Sequence, residues 1–278
     1  MTNTPKSRRV TPRAWATLTL SGAALGLTVS NAVAADLHAT AGGPEKLWLA
    51  QASTEGGEGD EGGEAGAIAG DESVALLTGL GLIEGHLRAG VALYEAGLAD
   101  QAKSHMKHPQ DELYASLLPL LKAAGAEDFS GALTGLSDAV ENGADMARVQ
   151  AAFAEVQKEI AEGREHAGGG EAAEAAAIVR IVTTAAEEYA LGVQDGTVAE
   201  LHEYHDAWGF VEVARALLTH MAGEDDAAEK AFGENSLAAL ADLAPALPGV
   251  SPEGKTLGDA SALYGAAASI ELAAYKLK

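Results

Sequence analysis

DESVALLTGLGLIEGHLRAGVALYEAG (residues 71–97) reads as one long helix and sets the class of the chain. Leucine, alanine and glycine fill it, β-branched residues stand singly, and no alternation of period two suggests a strand. The same texture continues almost to the C-terminus. Helices are expected at roughly 72–97, 99–107, 110–124, 128–141, 145–166, 171–192, 197–222, 225–246 and 258–277. Gly97, Pro109, Gly125, Asn142-Gly143, Gly168-Gly169-Gly170, Asp195-Gly196, Gly223 and Pro248-Gly249 supply the breaks. Short links between long amphipathic helices make neighbours antiparallel, so the expected fold is all-α, a multi-helix antiparallel bundle. The glycine triplet divides the 71–278 domain into two candidate sub-bundles of similar size, 71–167 and 171–278.

Upstream of this domain the texture changes twice. Lys6, Arg8, Arg9 and Arg13 precede an apolar run from Ala14 to Val29, and Ala32-Val33-Ala34 follows. This is the pattern of a signal peptide, residues 1–34, cut near Ala34–Ala35. The Arg8-Arg9 pair hints at the twin-arginine route, but Val10-Thr11-Pro12 continues it poorly and favours ordinary secretion. No cysteine lies near the cut to carry a lipid, and no later apolar run reaches the roughly 18–20 residues that span a bilayer. The expectation is an exported chain, periplasmic or secreted, with no stable membrane insertion. Residues 35–70 read as a disordered acidic Gly-rich linker, because Ser-Thr-Glu-Gly-Gly-Glu-Gly-Asp-Glu-Gly-Gly-Glu-Ala-Gly (53–66) offers nothing to bury.

Charge and cysteine content exclude several functions. Loss of the leader's four basic residues takes the formal charge from −23 to −27. Such a surface repels nucleic acid and anionic lipid and concentrates cations. Solubility alone would also account for it. The absence of cysteine excludes thiolate metal sites, a cysteine nucleophile and covalently held haem. Neither a Gly-x-Ser-x-Gly elbow, a phosphate loop nor a dinucleotide fingerprint occurs, so no enzyme is expected. Any metal must be held by His, Asp, Glu, Met or Tyr.

Of 8 histidines, half fall in two His-x-x-His pairs, His105-Met-Lys-His108-Pro and His202-Glu-Tyr-His205-Asp. The second pair lies within one helix, on neighbouring surface positions. Leu201, Tyr204, Trp208, Val211 and Leu218 form the expected core stripe. His202, His205, Gly209 and Glu212 form a polar stripe beside it, with Asp206 at its edge. Gly209 leaves room there for a neighbouring helix or a ligand. Two imidazoles and a carboxylate supply part of a coordination shell for zinc, copper or iron, the rest coming from a facing helix. The plain alternative is a polar outer face. His-Glu-Tyr-His is one residue too short for a metalloprotease signature.

Pro109 disfavours helical geometry at His108 and suits the first position of the next helix, so the first pair is expected as an elbow. Met106 offers a soft sulfur for copper. Asp111 and Glu112 suit the first turn of a helix. His86 falls on a seam with Gly79, Leu82, Gly90, Leu93 and Gly97. Glycines there permit close helix contact, so His86 is expected between helices, wanting a hydrogen-bond partner or a metal. His38 in the linker, and His166 and His220 near helix ends, read as incidental.

The stretch Ala-Ala-Glu-Glu-Tyr-Ala-Leu-Gly-Val-Gln-Asp-Gly-Thr-Val-Ala-Glu-Leu-His-Glu-Tyr-His-Asp-Ala-Trp-Gly-Phe (185–210) resembles the periplasmic helical region of bacterial high-affinity iron-permease-type proteins. There a Glu-Tyr, an Asp-Gly turn and a Tyr-x-Asp-x-x-Gly-Phe segment recur on paired helices. The resemblance marks Glu188, Tyr189, Tyr204 and Asp206 as family positions, while His205 stands where a Gln is expected. The permease's membrane helices and its Arg-Glu-x-x-Glu motif are absent, so what it implies is a soluble partner of an envelope transporter or permease. Residues and resemblance together give an exported metal-binding protein that captures or hands over iron or copper. Its expected ligands are His86, His105, His108, His202 and His205, with Glu112, Glu188, Asp206 and Glu212 as secondary candidates. Two rival readings are a metal-free helical scaffold and a small-molecule carrier with a pocket between the sub-bundles.

Overall fold

The computed structural model describes residues 62–252 and 254–277. The expected leader, most of the expected linker and His38 lie outside them. The described chain runs α1 (Gly62–Ala67), α2 (Glu72–Glu95), α3 (Ala99–His108), a π-helical turn (Pro109–Leu113), α4 (Tyr114–Ala124), α5 (Ser130–Glu141) and α6 (Met146–Ala167). It continues through α7 (Gly170–Gly192), a small hairpin of β1 (Val193–Gln194) and β2 (Thr197–Val198), α8 (Leu201–Ala222), α9 (Ala227–Ala241) and α10 (Ser261–Ala274). The all-α bundle is as expected. The linker boundary is not: α1 lies inside the stretch read as disordered, and its Glu64 is buried.

Helix α2 is the axis of the bundle. Asp71 caps it by accepting the Val74 N–H at 3.1 Å. It then packs against α3, α4 and α6 on one hand and α7 and α8 on the other. An apolar surface on every side suits a helix surrounded by others. Contrary to the sequence expectation, α2 is long and apolar enough to cross a membrane, but 89% of that span is buried inside the bundle. The described residues form one compact unit. The two candidate sub-bundles therefore share α2, and the Gly168–Gly170 turn joins helices of a single body.

Glycine sets how closely α2 meets its neighbours. A Cβ on Gly209 of α8 would strike the Gly85 carbonyl oxygen, and one on Gly85 would strike the Phe210 ring. The two helices thus cross backbone to backbone. A Cβ on Gly90 would lie 2.6 Å from Met106 Cε and 3.3 Å from His105 Cβ, so this glycine lets α3 close on α2. Met106 is spent in that contact as a core residue.

On the α6 side of α2, buried Glu84 draws three partners. Arg88 donates to it at 2.7 and 3.0 Å, Arg164 at 2.8 Å and Gln157 at 3.1 Å. Burial alone would raise its pKa, but the guanidinium charges of Arg164 and Arg88 outweigh burial and hold it below the ordinary value. Its contribution to stability is therefore complete above the ordinary carboxyl range and fades as pH falls through the lowered value. Glu84→Ala should cost about 3 kcal/mol in urea unfolding at neutral pH, near the lower end for removing one partner of a buried ion pair. The lower end applies because the two arginine side chains keep 27% and 21% of their exposure.

Asp195-Gly196 makes a tight hairpin turn, with φ of 51° and 74° at the two residues and Val193 paired to Val198. An Asp-Gly pair with both φ positive is the preferred two-residue hairpin connection. Helix α8 consequently begins at Leu201 instead of 197, and Leu201, expected in the core, is exposed at the start of the helix. Helix α9 also stops earlier than expected, and α10 begins later. The loop between them is tied down by phenols: Tyr189 donates to the Gly258 carbonyl at 2.7 Å and Tyr204 to the Gly249 carbonyl at 2.6 Å.

The expected elbow at Pro109 is a helix. His108 has φ −48° and ψ −56°, Pro109 follows in helical geometry, and the Tyr114 N–H reaches back five residues to the Pro109 carbonyl. A wide π-turn, Pro109–Leu113, follows α3 directly where a break was expected. His105 and His108 therefore do share a helix face, and both are buried.

Candidate metal centre

Asp206 is the hub where the candidate ligands meet. It lies buried on α8, and its Oδ1 is 2.6 Å from His86 Nδ1 and 3.0 Å from His105 Nδ1. Its Oδ2 is 3.3 Å from His202 Nε2. His105 Nε2 lies 3.2 Å from His205 Nδ1. The far nitrogen of His86, Nε2, is 2.9 Å from Glu64 Oε2. Thus α1, α2, α3 and α8 bring their polar groups to one place, and the two His-x-x-His pairs converge.

The electrostatics distinguish these imidazoles. Burial opposes charge on His86, but the Asp206 and Glu64 carboxylates outweigh it and raise its pKa well above the usual value. His86 is therefore an imidazolium clamped between two acids. Burial would likewise raise Asp206, yet His86 and His105 draw its pKa well below the carboxylate range. Burial lowers His202 to about 4 despite Asp206, and burial with the neighbouring His105 lowers His205 to about 4. Both are neutral at pH 7 and keep a lone pair.

Hydrogen bonds account for only part of the geometry. Neither His105 Nδ1 nor His202 Nε2 makes a well-aligned hydrogen bond, although both are buried and lie 3.0 and 3.3 Å from the oxygens of Asp206. Buried polar atoms are rarely left this way. Donors bonded to one ion at about 2.0–2.2 Å stand roughly 2.8–3.6 Å apart, for angles of about 90–110°. One ligand atom each from His86, His105 and Asp206 lies within 4.8 Å of the other two. The buried His86–His105–Asp206 group could therefore hold a metal ion.

The remaining candidates divide. His108 is buried and its Nε2 lies 3.6 Å from Glu112 Oε2, which places partly exposed Glu112 at the rim. Glu188 is buried on α7, where burial and the nearby Glu64 and Glu203 carboxylates push its pKa to about 9, so it is protonated at neutral pH. Glu212 does not join the centre. It pairs with Arg215 at 3.4 Å, because α8 has carried it past the Gly209 crossing. His220 pairs with Glu224 at 3.3 Å, and His166 is exposed.

Near the centre, two buried acids, Glu64 and Glu203, go beyond the residues that sequence singles out. Glu64 was hidden in the Gly-rich acidic run. Glu203 had a readable signal, since it lies three residues before Asp206 on the same helix. A separate cavity of about 470 Å³ between α2, α6, α7 and α8 lies where a pocket between sub-bundles was expected. Its innermost polar group, Glu84, is already taken up by Arg88 and Arg164.

The fold and the centre define a class: a helical bundle with a buried imidazole–carboxylate group of metal-ligand chemistry. Residues 169–277 match the family of the iron permease-associated 4-helix bundle domain. That match begins just before α7 and takes in α8, α9 and α10. It contains Glu188, His202, Glu203, His205 and Asp206, whereas Glu64, His86, His105 and His108 come from the chain before it. Comparison with curated proteins and with solved structures gives no match.

Proposed function

We propose that this chain captures a metal ion, iron before others, and hands it to an envelope permease, acting outside the cytoplasm as a binder and not as an enzyme. The observation that carries this reading is Asp206, whose two oxygens face three histidine nitrogens, two of them without a well-aligned hydrogen bond. The match of residues 169–277 to an iron permease-associated domain supports iron and a transporter partner. The donor set is nitrogen and oxygen, which suits iron and zinc, while Met106 is held in the core and offers no soft ligand. Copper(II) is the strongest competitor, because such sites favour it intrinsically. Export rests on the leader-like residues 1–34.

Calorimetric titration of the full chain with Fe(II) under argon, and with Zn(II) and Cu(II), tests the reading. Stoichiometric uptake that weakens sharply in His105→Ala is expected, and absence of stoichiometric uptake would sink it. The pH dependence has a definite sign. An ion entering beside Asp206 displaces the Nδ1 proton of His86, a residue charged at neutral pH, so affinity should rise as pH rises from 5.5 to 7.5. His202 and His205, neutral above about pH 5, add little to that slope. About one proton should be released per ion at pH 6, read from enthalpies in two buffers of different ionisation heat.

A further inference from the structure

The centre has room for more than the single ion that His86, His105 and Asp206 would hold. The His105 and His202 rings are stacked, with centroids 4.2 Å apart and planes only 5° from parallel. Each directs a nitrogen at a different oxygen of the same carboxylate: His105 Nδ1 lies 3.0 Å from Asp206 Oδ1 and His202 Nε2 lies 3.3 Å from Asp206 Oδ2. Both nitrogens are buried and neither makes a well-aligned hydrogen bond.

A metal bound by an imidazole nitrogen sits close to the plane of that ring, along its lone pair. Two nearly parallel planes cannot both contain one ion near the carboxylate. Their spacing cannot exceed the 4.2 Å between centroids, which is close to the roughly 3.5–4 Å between ions in two-metal sites. A carboxylate with one oxygen turned to each plane is the bridge such a pair requires.

We infer that the centre binds two metal ions bridged by Asp206, one on the His86–His105 side at Oδ1 and a second on the His202 side at Oδ2. This inference rests on the metal-capture reading and adds a second binding position to it. The second position is the outer one. The His202 side chain is 29% exposed, the His108 ring lies 5.2 Å from it, and Glu112 stands at the rim beyond. His205 is a positioning residue for the inner ion. Its Nδ1 lies 3.2 Å from His105 Nε2, and a hydrogen bond donated there by His105 would leave the Nδ1 lone pair of His105 turned to Asp206.

The test is titration of the full chain with Cu(II), a paramagnetic probe for both positions, followed by electron paramagnetic resonance. Two ions per chain are expected. The second should broaden the spectrum of the first and produce a half-field line, as spins about 4 Å apart do. His202→Ala should bind one ion with an isolated spectrum, and His202→Gln, which keeps the bulk, should read the same if alanine unsettles the helix. One ion per wild-type chain overturns the inference while leaving metal capture intact. So do two ions without spin coupling, which places the second adventitiously elsewhere, and a coupled pair that persists in both variants. Absence of any uptake overturns metal capture and the ion pair together.

Discussion

Asp206→Asn should abolish metal binding while the chain still folds, though with some loss of stability from the broken buried pair with His86. The amide has the shape of the carboxylate, so the α2–α8 contact is undisturbed. It lacks the negative charge that faces three imidazoles at 2.6–3.3 Å. It also loses one of the two acids that hold the His86 imidazolium. The loss of affinity should exceed about 100-fold, because removing even an outer hydrogen-bond partner of a metal ligand costs roughly 10–100-fold. At a metal concentration 100 times the wild-type dissociation constant, the wild type gains about 2.7 kcal/mol of stability from the ion, and the variant should gain less than about 0.5. Thermal unfolding with and without metal measures the difference. An Asn variant stabilised by metal as strongly as the wild type would remove Asp206 from the centre.

Gly209→Ala should be the most damaging single methyl group in the bundle. Its Cβ would strike the Gly85 carbonyl oxygen, with the Gly85 carbonyl carbon at 2.9 Å and Ala89 Cβ at 3.3 Å. The obstacle is backbone, so no rotamer change relieves it and α2 must move away from α8. Overpacking a close contact costs about 1–3 kcal/mol, and this case belongs at the top of that range. For a chain of this size, about 3 kcal/mol lowers the unfolding temperature by about 6–12 °C. The same displacement separates His86, next to Gly85, from Asp206, three residues before Gly209, so metal affinity falls as well. Gly135→Ala is the control. It sits mid-helix on α5 with nothing within 4 Å of the new methyl, so it should be neutral or gain up to about 1 kcal/mol. Equal effects of the two substitutions would show that helix crossing is not what Gly209 provides.

Sequence exposes local structure here far better than meeting points. The helices are legible because caps and glycine turns bound them: Asp71, Asp145 and Asp226 each accept N–H groups at a helix start. The Asp195-Gly196 pair carries a hairpin signal as well as a helix break. The histidines are legible as ligands by type and spacing, but their convergence depends on which helices cross, and spacing does not encode that. Glu212 shows the limit. It shares a helical stripe with His205 and Gly209, yet the crossing lies between them and leaves it with Arg215. Glu64 shows the opposite limit, an acid in a run whose composition promises no burial, held by its carboxylate against His86. The rule against helical geometry before proline fails at His108, which keeps helical φ and ψ while a π-turn follows it.

That widened turn is a phase shifter. Each residue advances a helix by about 100°, so one residue accommodated without an extra turn rotates everything downstream relative to everything upstream. Upstream stand His105 and His108, facing the centre; downstream stand Leu117 and Leu121, fully buried in the core. Without the π-turn a single phase would have to serve both faces. With it, the direction of the histidines and the packing of α4 are set separately. The binding face of α3 can then change by substitution while the leucines that anchor α4 stay where they are.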